Sequence, residues 1–530
     1  MKPHPLAAAD RAACEAFATL AYGNPFLPDR LEAERVIAAT LGGPARDDRV
    51  WHRALDLDHD GDRLAWLSEH AQALAKRIAV CLGGRGCADL DDRARANLAA
   101  PGIYVAFYRA APALLELVRA EATGAEHDRA KVRAAWHTFR DTARSLLIVD
   151  GTPLLPELAG GEDHLFAVAY QTFAAFRTIF HNLFGGNEAA ATLRAEVWHS
   201  CFTRDRLRHA RSAYGRMREL PTLVLGESGT GKEIVARAVL AGSHRTFDAK
   251  SATLEPRGSF EAVTLAAMPA TLVESELFGH RRGSFTGAAA DRPGRLEGVG
   301  RTGVAFLDEI GDVEPAVQVK VLRVLQERTF ARIGDARPRA FEGRIVAATH
   351  RDLPALMAAG DFRADLYYRL AADVVRTPPL RELIGGDAGE LSRLVTLACR
   401  RLIDDPALPR EVIGAIESGV GLGYGWPGNF RELEQCCRAV LIRGEYVPPP
   451  THRHDAADDL ADDLRTARLS AEEVTTRYCR LAVDKHGSFS AAGRVLGLDR
   501  RTVRSRVERD PDAVPAHDRQ RREPDTDGQG

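Results

Sequence analysis

The residue types that can do chemistry are concentrated in one segment, LVLGESGTGKEIVARAVL, between Leu223 and Leu240. Its glycines allow the backbone to turn so that the N–H groups point toward phosphate oxygens, and its lysine adds a positive charge for the outer phosphates. An apolar strand pattern precedes the loop and an amphipathic helix pattern follows it, which favours a nucleotide-phosphate site over an ordinary glycine-rich turn. The residues predicted to bind nucleotide are Gly226, Glu227, Ser228, Gly229, Thr230, Gly231, Lys232 and Glu233.

Two polar pairs stand at the ends of two further apolar strand patterns. The run VAFL leads into Asp308 and Glu309, and the run RIVAAT ends at Thr349, which is followed by His350. Buried parallel strands end at the same edge of a sheet, so we expect both pairs to lie beside the phosphate loop. Asp308 is predicted to bind Mg²⁺, and Glu309 to polarise the water that attacks the terminal phosphate. Thr349 and His350 are predicted to lie near that phosphate or that water.

Length and composition indicate several folded units in a soluble chain. The usual size of a domain predicts three or four units for 530 residues. A net charge of -2 means that any basic surface must be local. The eight cysteines have no paired CxxC spacing, which argues against a zinc site or a disulfide framework. We find no signal-peptide pattern and no run of about 18 apolar residues, so we expect a cytoplasmic protein without membrane contact.

Residues 1–190 are predicted to form a mostly helical domain with a regulatory or sensing role. Apolar residues repeat every three or four positions between Asp62 and Leu82, as on one face of a helix. An aromatic repeat from Phe166 to Phe184 stops at a glycine pair and predicts a second helix. We interpret its stripe as core, with a ligand pocket or a dimer seam as the alternatives. The sequence does not identify the signal, and it has no receiver pattern with a phosphate acceptor.

Two neighbouring segments give the most specific signal in the sequence. ESELFGH begins at Glu274, and GSFTGA follows it. With the phosphate loop and the acidic pair, over roughly residues 222–446, they resemble the AAA+ domain of the bacterial sigma-54-dependent transcription activators, also called enhancer-binding proteins. The resemblance implies that the nucleotide is ATP and that the GSFTGA loop contacts the sigma-54 subunit through a flexible tip with an exposed Phe-Thr pair. The residues of this loop are Gly283, Ser284, Phe285, Thr286, Gly287 and Ala288.

Three arginines match positions at which this family brings charge to the nucleotide. Arg363 and Arg369 lie in FRADLYYRL, which resembles the segment of the arginine fingers that reach a neighbouring subunit's ATP site. Arg431 lies in WPGNFREL, which resembles the second sensor motif, and is implied to touch the nucleotide from the helical lid. Fingers supplied by a neighbour imply a ring, usually a hexamer in this family. Surface arginines without such a role are the alternative.

The sequence departs from the family pattern at two positions near the predicted catalytic glutamate. Thr264 stands where the family commonly has an asparagine that holds this glutamate until hydrolysis. His350 stands where asparagine is common in the first sensor. Threonine is shorter and has no amide donor, so the sequence leaves open whether the switch is altered or absent. The remaining machinery is complete, which predicts an active ATPase.

The segments that flank the predicted ATPase have different compositions. Seven arginines and three acids between Thr192 and Leu220 predict a solvated linker helix, with contact to nucleic acid or phosphate as the alternative. Residues 191–375 are predicted to hold this helix and an α/β subdomain. Residues 376–446, which contain a Pro-Pro pair near their start, are predicted to form a helical lid. Residues 447–468 are rich in proline and then in acids, which indicates a linker.

The C-terminal pattern predicts a DNA-binding unit at residues 469–510. It gives a helix, a glycine turn and a second, basic helix capped by Asp499, and it resembles the Fis-type helix-turn-helix. The second helix would enter the major groove of double-stranded DNA at an enhancer-like site, and a basic solvated helix is the alternative. Residues 511–530 are predicted to be disordered. The packing residues are Val495, Leu496, Leu498 and Val503, and the DNA-contact residues are Arg500, Arg501, Thr502 and Arg504.

The predicted fold is multidomain: a mostly helical N-terminal domain, an α/β AAA+ P-loop ATPase with a small helical lid, and an all-α C-terminal helix-turn-helix. The resemblance implies an ATP-dependent activator that binds upstream DNA and remodels the closed complex of sigma-54 RNA polymerase. One alternative is a DNA-binding repressor that retains the AAA+ fold without sigma-54 contact, and the Phe-Thr tip opposes it. Another is an AAA+ unfoldase or protease partner, which has no need of a helix-turn-helix.

Overall fold

The chain folds into two compact units that divide between Tyr446 and Val447. The structure, a computed structural model, describes residues 6–43, 61–83, 90–156, 161–266, 268–285, 288–448, 460, 464 and 469–507. The helices of the larger unit are, in chain order, α1 (Ala8–Tyr22), α2 (Asp29–Leu41), α3 (Gly61–Leu82), α4 (Asp92–Ala122), α5 (Arg129–Leu147), α6 (Glu162–Asn182), α7 (Glu188–Phe202), α8 (Arg206–Arg208), α9 (Lys232–Ala241), α10 (Ala270–Phe278), α11 (Arg295–Gly298), α12 (Pro315–Glu327), α13 (Leu353–Ala359), α14 (Ala364–Leu370), α15 (Leu380–Ile384), α16 (Ala388–Leu402), α17 (Leu408–Gly419) and α18 (Asn429–Arg443).

A parallel sheet lies at the centre of this unit. The strands in chain order are β1 (Ile148–Val149), β2 (Thr152–Pro153), β3 (Thr222–Leu225), β4 (Phe247–Asp248), β5 (Thr253–Leu254), β6 (Phe260–Thr264), β7 (Gly279–His280), β8 (Arg292–Pro293), β9 (Val304–Asp308), β10 (Thr329–Phe330), β11 (Arg339–Ala340), β12 (Arg344–Thr349) and β13 (Val374–Arg376). Five of them form the sheet in the order β13-β3-β12-β9-β6, and the others pair as short antiparallel ribbons.

The middle strands of this sheet are continuous apolar runs because helices cover both of its faces. Every residue of β12 is buried, and so are the first four of β9. The register pairs Leu225 with Thr349 and Asp308 with Ala348. The carboxyl ends of β3, β12 and β9 therefore meet at one edge of the sheet, which confirms the α/β architecture predicted for this region.

The N-terminal helices pack directly on the helices and strands of the sheet. Phe26, Ile179 and Trp198 share one buried cluster with Val224 and Val346. The helix α6 lies against α9, and Asn24 donates a hydrogen bond of 2.9 Å to the Ala195 carbonyl oxygen. The helical N-terminal region is thus confirmed as helical, and its core continues into the α/β layer within one compact unit.

The predicted N-terminal helices form as their patterns indicate. In α3, Leu67, Leu74 and Ile78 are fully buried on one face. The aromatic stripe of α6 is mostly core, since Phe166 and Tyr170 are 0% and 1% exposed. Phe166 contacts Trp136, Phe139 and Phe247, so the stripe joins the N-terminal helices to the segment that follows α9.

The prediction of a solvated linker helix before the sheet is wrong for α7. Its apolar face and most of its other residues are buried, including Trp198 and Phe202. Arg194, counted among the solvated arginines, is 6% exposed and donates to the carbonyl oxygens of Leu183 and Gly185. Arg206 lies over the rings of Phe107 and Trp198. These arginines anchor elements of the fold instead of facing water.

The sequence has no uninterrupted run of about 18 apolar residues, but the helix α4 comes near to one. This helix of 31 residues is long and apolar enough, by length and composition, to cross a membrane. Its apolar residues, such as Val105, Ala106 and Leu114, are buried against α1, α3 and α5. Packing inside the protein therefore accounts for its composition.

The helices after β13 form a small layer with a core of its own. Trp426, Cys436 and Cys437 are fully buried there with Leu391 and Val412. The first of these helices, α15, begins just after the Pro-Pro pair, as the sequence indicated. All cysteines in the described part of the chain are free.

The smaller unit contains three described helices, α19 (Ala471–His486), α20 (Phe489–Leu496) and α21 (Arg500–Val507). Ser470 caps α19, and its hydroxyl accepts from the Glu473 N–H. Cys479, Ala482, Ala492 and Val503 form a small buried cluster. The predicted packing of Val495 is wrong, because this side chain is 60% exposed. The predicted linker falls largely, and the tail wholly, outside the described residues.

Candidate functional site

The glycine-rich loop connects the end of β3 to the start of α9. Gly229 and Gly231 have φ of +80° and +90°, a region that residues with a Cβ rarely adopt. A Cβ on Gly226 would lie 2.0 Å from the Thr377 hydroxyl oxygen, so this turn also needs glycine for close approach. The loop N–H groups and the first turn of α9 therefore form the concave, electropositive end that binds anions in such loops.

Lys232 begins α9 with a side chain that is only 7% exposed. Its ammonium group donates to the carbonyl oxygens of Gly226 and Glu227, at 2.9 and 3.1 Å, and lies 3.9 Å from a carboxylate oxygen of Glu309. Burial lowers the pKa of this ammonium group, although the charges of Glu309 and Asp308 oppose that shift. The ammonium is thus held at the mouth of the loop, beside the acidic pair.

Asp308 and Glu309 follow β9 at the same edge of the sheet. Burial raises the pKa of Asp308, and the neighbouring charge of Glu309 raises it further. Glu309 has a left-handed backbone, with φ of 57°. One of its carboxylate oxygens lies 2.7 Å from the His350 Nδ1 and accepts the His350 backbone N–H at 3.3 Å. The structure therefore brings together the four residues predicted at this edge of the sheet: Asp308, Glu309, Thr349 and His350. Only the orientation of the Thr349 side chain differs from the prediction.

Thr349 is fully buried, and its hydroxyl oxygen accepts the Arg351 backbone N–H at 3.0 Å. Arg351 in turn donates to a carboxylate oxygen of Asp312 at 2.7 Å. Ligand atoms of Glu309, Asp312 and His350 lie within 4.8 Å of one another, so this group and Asp308 are the residues here that could hold a divalent cation.

A cavity of about 310 Å³ opens between the phosphate loop, the acidic pair and the small helical layer. Its volume is within the usual range of small-molecule sites. One wall is polar and the other is apolar, as a site for a nucleotide with phosphates and a flat base requires. The lining residues include Ser228 to Ile234, Asp308, Glu309, Leu183, Phe184, Leu193, Leu383, Arg401, Phe430, Arg431 and Glu434.

The small helical layer is fastened to the phosphate loop at several points. Arg431 donates to the Ser228 hydroxyl at 3.1 Å. Asn429, which is fully buried, donates to Glu227 and to the Ser228 carbonyl oxygen. Arg381 forms a bidentate ion pair with Glu227, at 2.6 and 3.0 Å. This layer therefore lies over the loop as a lid, and Arg431 lines the cavity where the sequence predicted.

The two arginines predicted to act in a neighbouring subunit lie outside this cavity. Arg363 is exposed at the start of α14 and is paired with Asp365 through contacts of 2.7 and 3.0 Å. Arg369 is exposed near the end of α14, with one weak contact to the Leu325 carbonyl oxygen. Neither guanidinium group lines the cavity beside the phosphate loop.

The predicted partner-contact loop follows β7 and turns back on itself. Gly283 has φ of +79°, and its N–H donates to the Ala288 carbonyl oxygen. The Ser284 hydroxyl donates to the Arg281 carbonyl oxygen at 2.7 Å. Phe285 packs edge-on against the His280 ring, so this side chain is half-buried where the sequence predicted an exposed phenylalanine. Thr286 and Gly287 lie outside the described residues.

In the smaller unit, α20 and α21 form a tight helix-turn-helix. Gly497 has φ of 66°, and a Cβ on Gly493 would lie 2.7 Å from the Leu498 carbonyl oxygen. Asp499 accepts the Arg501 N–H and starts α21. The described surface of α21 is basic, and its exposed residues include all four that the sequence predicted for DNA contact: Arg500, Arg501, Thr502 and Arg504.

Comparison with known proteins decides what the α/β region is. Residues 202–376 match the family described as "Sigma-54 interaction domain". Residues 202–376 thus form a sigma-54 interaction domain. The match starts in α7 and ends at β13, so the phosphate loop, the acidic pair and the GSFTGA loop all lie within it.

Relatives of this sigma-54 interaction domain are regulatory proteins by name, and two of the three described here are named as transcription regulators. The chain is 43% identical over 231 residues to the hydrogenase transcriptional regulatory protein HoxA of Cupriavidus necator, covering 43% of this chain and 45% of that protein. It is 38% identical over 296 residues to a Nif-specific regulatory protein of Azotobacter vinelandii, covering 54% and 53%. It is 37% identical over 336 residues to the anaerobic nitric oxide reductase transcription regulator NorR of Aeromonas salmonicida, covering 58% and 61%. The chain thus spans about half the length of the relatives it matches.

Among solved structures, the chain resembles NtrX from Brucella abortus in complex with ATP, with a TM-score of 0.38 and 22% identity over 66% of this chain and 75% of that one. At this distance the likeness adds nothing to the sequence match.

Sequence reasoning missed several residues around the cavity of the sigma-54 interaction domain. Phe184 follows α6 and lines the cavity, with the Arg401 guanidinium 4.5 Å from its ring centre. The sequence did contain a signal for Phe184, because this residue belongs to the aromatic stripe for which a ligand pocket was one alternative interpretation. Asn429 stands inside the sensor-like segment WPGNFREL and was readable from it. Arg381 has no local signal, because its partner Glu227 lies 154 residues away.

Proposed function

We propose that this protein is an ATP-driven transcription activator that remodels the closed complex of sigma-54 RNA polymerase. The observation that carries the proposal is the convergence of Lys232, Asp308 and Glu309 on one cavity within a domain that matches the sigma-54 interaction family. Phosphoryl transfer to water mainly needs positioning and charge compensation, and this group of residues offers both.

Each residue of the cavity has a proposed part in binding or hydrolysis. The loop N–H groups and Lys232 bind the phosphates of ATP, and the apolar wall with Phe184 binds the base. Asp308 fits Mg²⁺, because a desolvated carboxylate with a raised pKa gains from a nearby cation. Bound Mg²⁺ would neutralise charge on the phosphates. Glu309 orients the attacking water and takes its proton.

A ring of subunits, usually a hexamer in this family, is proposed because two candidate catalytic arginines do not line their own cavity. Arg363 and Arg369 lie on an exposed helix, where a neighbouring subunit can receive them. A guanidinium group inserted in this way stabilises charge in the transition state and contributes about 10³- to 10⁵-fold in rate. Arg431 lies on the lid and contacts the loop at Ser228, so it couples nucleotide binding at the loop to the position of the lid.

Two surfaces are proposed for partners in the cytoplasm. The loop 283–288 contacts the sigma-54 subunit, and the basic helix α21 enters the major groove of an upstream site in double-stranded DNA. Residues 447–468 link the lid to the DNA-binding unit at 469–510, and the N-terminal region at 1–190 regulates the motor. The names of two relatives as transcription regulators support this assignment.

The test is transcription from a sigma-54 promoter with purified full-length protein. Glu309→Gln is expected to bind ATP but to turn it over at least about 10²-fold more slowly, because it loses the general base. Thr286→Ala is expected to keep ATP turnover and to lose open-complex formation. Matched controls are Glu314→Gln and Thr271→Ala, which change exposed residues that do not line the cavity.

Two results would contradict the proposal. Open complexes formed at the normal rate by both test variants would remove ATP hydrolysis and the loop from the mechanism. ATP turnover that stays proportional to protein concentration at the lowest concentrations would remove the ring, since a subunit that needs a neighbour's arginine loses activity on dilution.

A further inference from the structure

The carboxylate of Glu309 is engaged on both of its oxygens. One oxygen accepts two hydrogen bonds from His350, through Nδ1 at 2.7 Å and through the backbone N–H at 3.3 Å. The other oxygen faces the Lys232 ammonium group at 3.9 Å. The side chain of Glu309 is 16% exposed, so water competes little for these contacts. A carboxylate that takes a proton from water must first turn a lone pair toward that water.

We propose that His350 is a positioning residue that holds the Glu309 carboxylate away from the attacking water. Release of this carboxylate from His350 then determines when ATP is hydrolysed. The inference rests on the proposed ATPase function. Hydrogen bonds to an ionised carboxylate are among the stronger ones in proteins, so this hold is large enough to affect the rate. His350 itself is 41% exposed and does not line the nucleotide cavity, so it acts through Glu309 and makes no contact with the phosphates.

The hydrogen bonds that hold the Glu309 carboxylate come from the strand on one side of β9 only. In the sheet, β9 lies between β12, which carries His350 just past its end, and β6, which ends at Thr264. The register sets Thr264 opposite Asp308, one residue before Glu309. Thr264 is exposed, and its side chain makes no hydrogen bond to any part of the chain that the structure describes. In the described structure, the β6 side therefore makes no hydrogen bond to Glu309, and the β12 side makes two.

A second contact between the same two segments strengthens this arrangement. Arg351, next to His350, donates to Asp312 in the turn that follows Glu309, at 2.7 Å. The end of β12 and the turn after β9 are thus joined at two adjacent points. A movement of either segment changes both contacts. The hydrogen bonds between His350 and Glu309 therefore depend on the position of the whole loop.

The same loop leads to the proposed arginine finger. After His350 the chain passes through α13 to Arg363, whose backbone N–H donates to the side-chain carbonyl of Gln318 at 2.9 Å. Gln318 is fully buried and donates to the Val313 carbonyl oxygen, in the turn that follows Glu309. A neighbouring subunit that binds Arg363 therefore acts on a segment that is hydrogen-bonded to the turn after Glu309. This connection can transmit the movement that releases Glu309 from His350.

The test compares His350→Ala with wild-type full-length protein in two assays. ATP turnover is measured without DNA and polymerase, and open-complex formation is then measured per ATP hydrolysed. We expect kcat without partners to rise by about tenfold or more, as loss of a hydrogen bond to a charged group predicts. KM for ATP is expected to stay unchanged, and the yield of open complexes per ATP is expected to fall.

Rescue from the other side of β9 separates positioning from a general structural effect. Thr264→Asn introduces a longer side chain with an amide donor opposite Asp308. In the His350→Ala background it is expected to lower kcat again and to restore the yield per ATP. Thr264→Val, which has the same size as threonine and no donor, is the matched control and is expected to restore neither.

A kcat of His350→Ala that is unchanged or lower than that of the wild type would overturn the inference, and so would equal effects of Thr264→Asn and Thr264→Val. Failure of the proposed function looks different. In that case the wild-type protein itself would not hydrolyse ATP, or would hydrolyse it without opening the promoter complex.

Discussion

Replacement of Arg245 by methionine is expected to weaken the packing of the N-terminal helices on the α/β layer. Arg245 follows α9, and its side chain is 7% exposed. Its Nη1 lies 2.6 Å from a carboxylate oxygen of Glu121 at the end of α4, and its Nε donates to the Glu255 carbonyl oxygen. Tyr170 donates to the second carboxylate oxygen of Glu121 at 2.7 Å.

The magnitude follows from the burial of the pair. Glu121 is 17% exposed. Burial alone would raise its pKa, but the charges of Arg245 and Arg257 and the Tyr170 hydroxyl together hold the pKa below its usual value of 4.5. With methionine at position 245, a mostly buried carboxylate loses its main counter-charge, which typically costs about 3 to 5 kcal/mol of the free energy of unfolding. Because the folded pKa of Glu121 is lowered, the stabilisation is complete above pH 4.5 and is lost at lower pH.

The assay is a double-mutant cycle in urea, followed by tryptophan fluorescence, since Trp136 and Trp198 are buried near this interface. Glu121→Gln is expected to cost less than Arg245→Met, and the double variant to be markedly more stable than the sum of the two losses predicts. The control is Arg323→Met, which removes an exposed pair with Glu327 and is expected to cost only a few tenths of a kcal/mol. A loss below about 1 kcal/mol for Arg245→Met, or additive losses in the cycle, would refute the reasoning.

Two further predictions concern the cavity and the buried histidine of the connecting segment. Phe184→Ala should raise KM for ATP by about five- to tenfold with little change in kcat, because a stacked base loses an aromatic contact. Steady-state kinetics checks this prediction. An unchanged KM would contradict the proposed base site. His209 is 1% exposed, has no hydrogen-bond partner for either ring nitrogen in the described structure, and has a pKa lowered by burial from 6.5 to about 4. Its neutral form is favoured in the folded protein, so stability should be complete above pH 6.5 and fall by up to about 3 kcal/mol toward pH 4. Thermal unfolding across this range checks the slope, which His209→Phe should reduce, and an equal slope in both proteins would contradict it.

The parts of the fold that the sequence predicted correctly are those with local signals. The phosphate loop needs glycines at fixed positions, because Gly229 and Gly231 adopt positive φ. The acidic pair follows a strand whose residues are buried on both faces, and such strands are continuous apolar runs. The parallel order of the sheet then follows from the crossovers between these strands. Local chemistry therefore predicted both the elements and the edge at which they meet.

The parts that could not be predicted depend on contacts between distant residues. Arg194 and Arg206 look like solvated charges in the sequence, yet they are inserted among carbonyl groups and aromatic rings of other elements. Residues 1–190 look like a separate domain, since no local pattern shows that Phe26 and Trp198 share a cluster with the sheet. Phe285 packs on His280 because a turn brings the two together, and this depends on loop geometry that residue types do not specify.

The helix α6 links the N-terminal helices mechanically to the cavity beside the phosphate loop. It extends for 21 residues, about 30 Å, from the aromatic cluster around Phe166 to Leu183 and Phe184 at the nucleotide cavity. Any ligand that shifted the N-terminal bundle would therefore also shift the groups that line the cavity. By thermodynamic reciprocity, whatever factor such a ligand imposed on the affinity of the cavity for its own ligand, the cavity ligand would impose on the affinity for the first one.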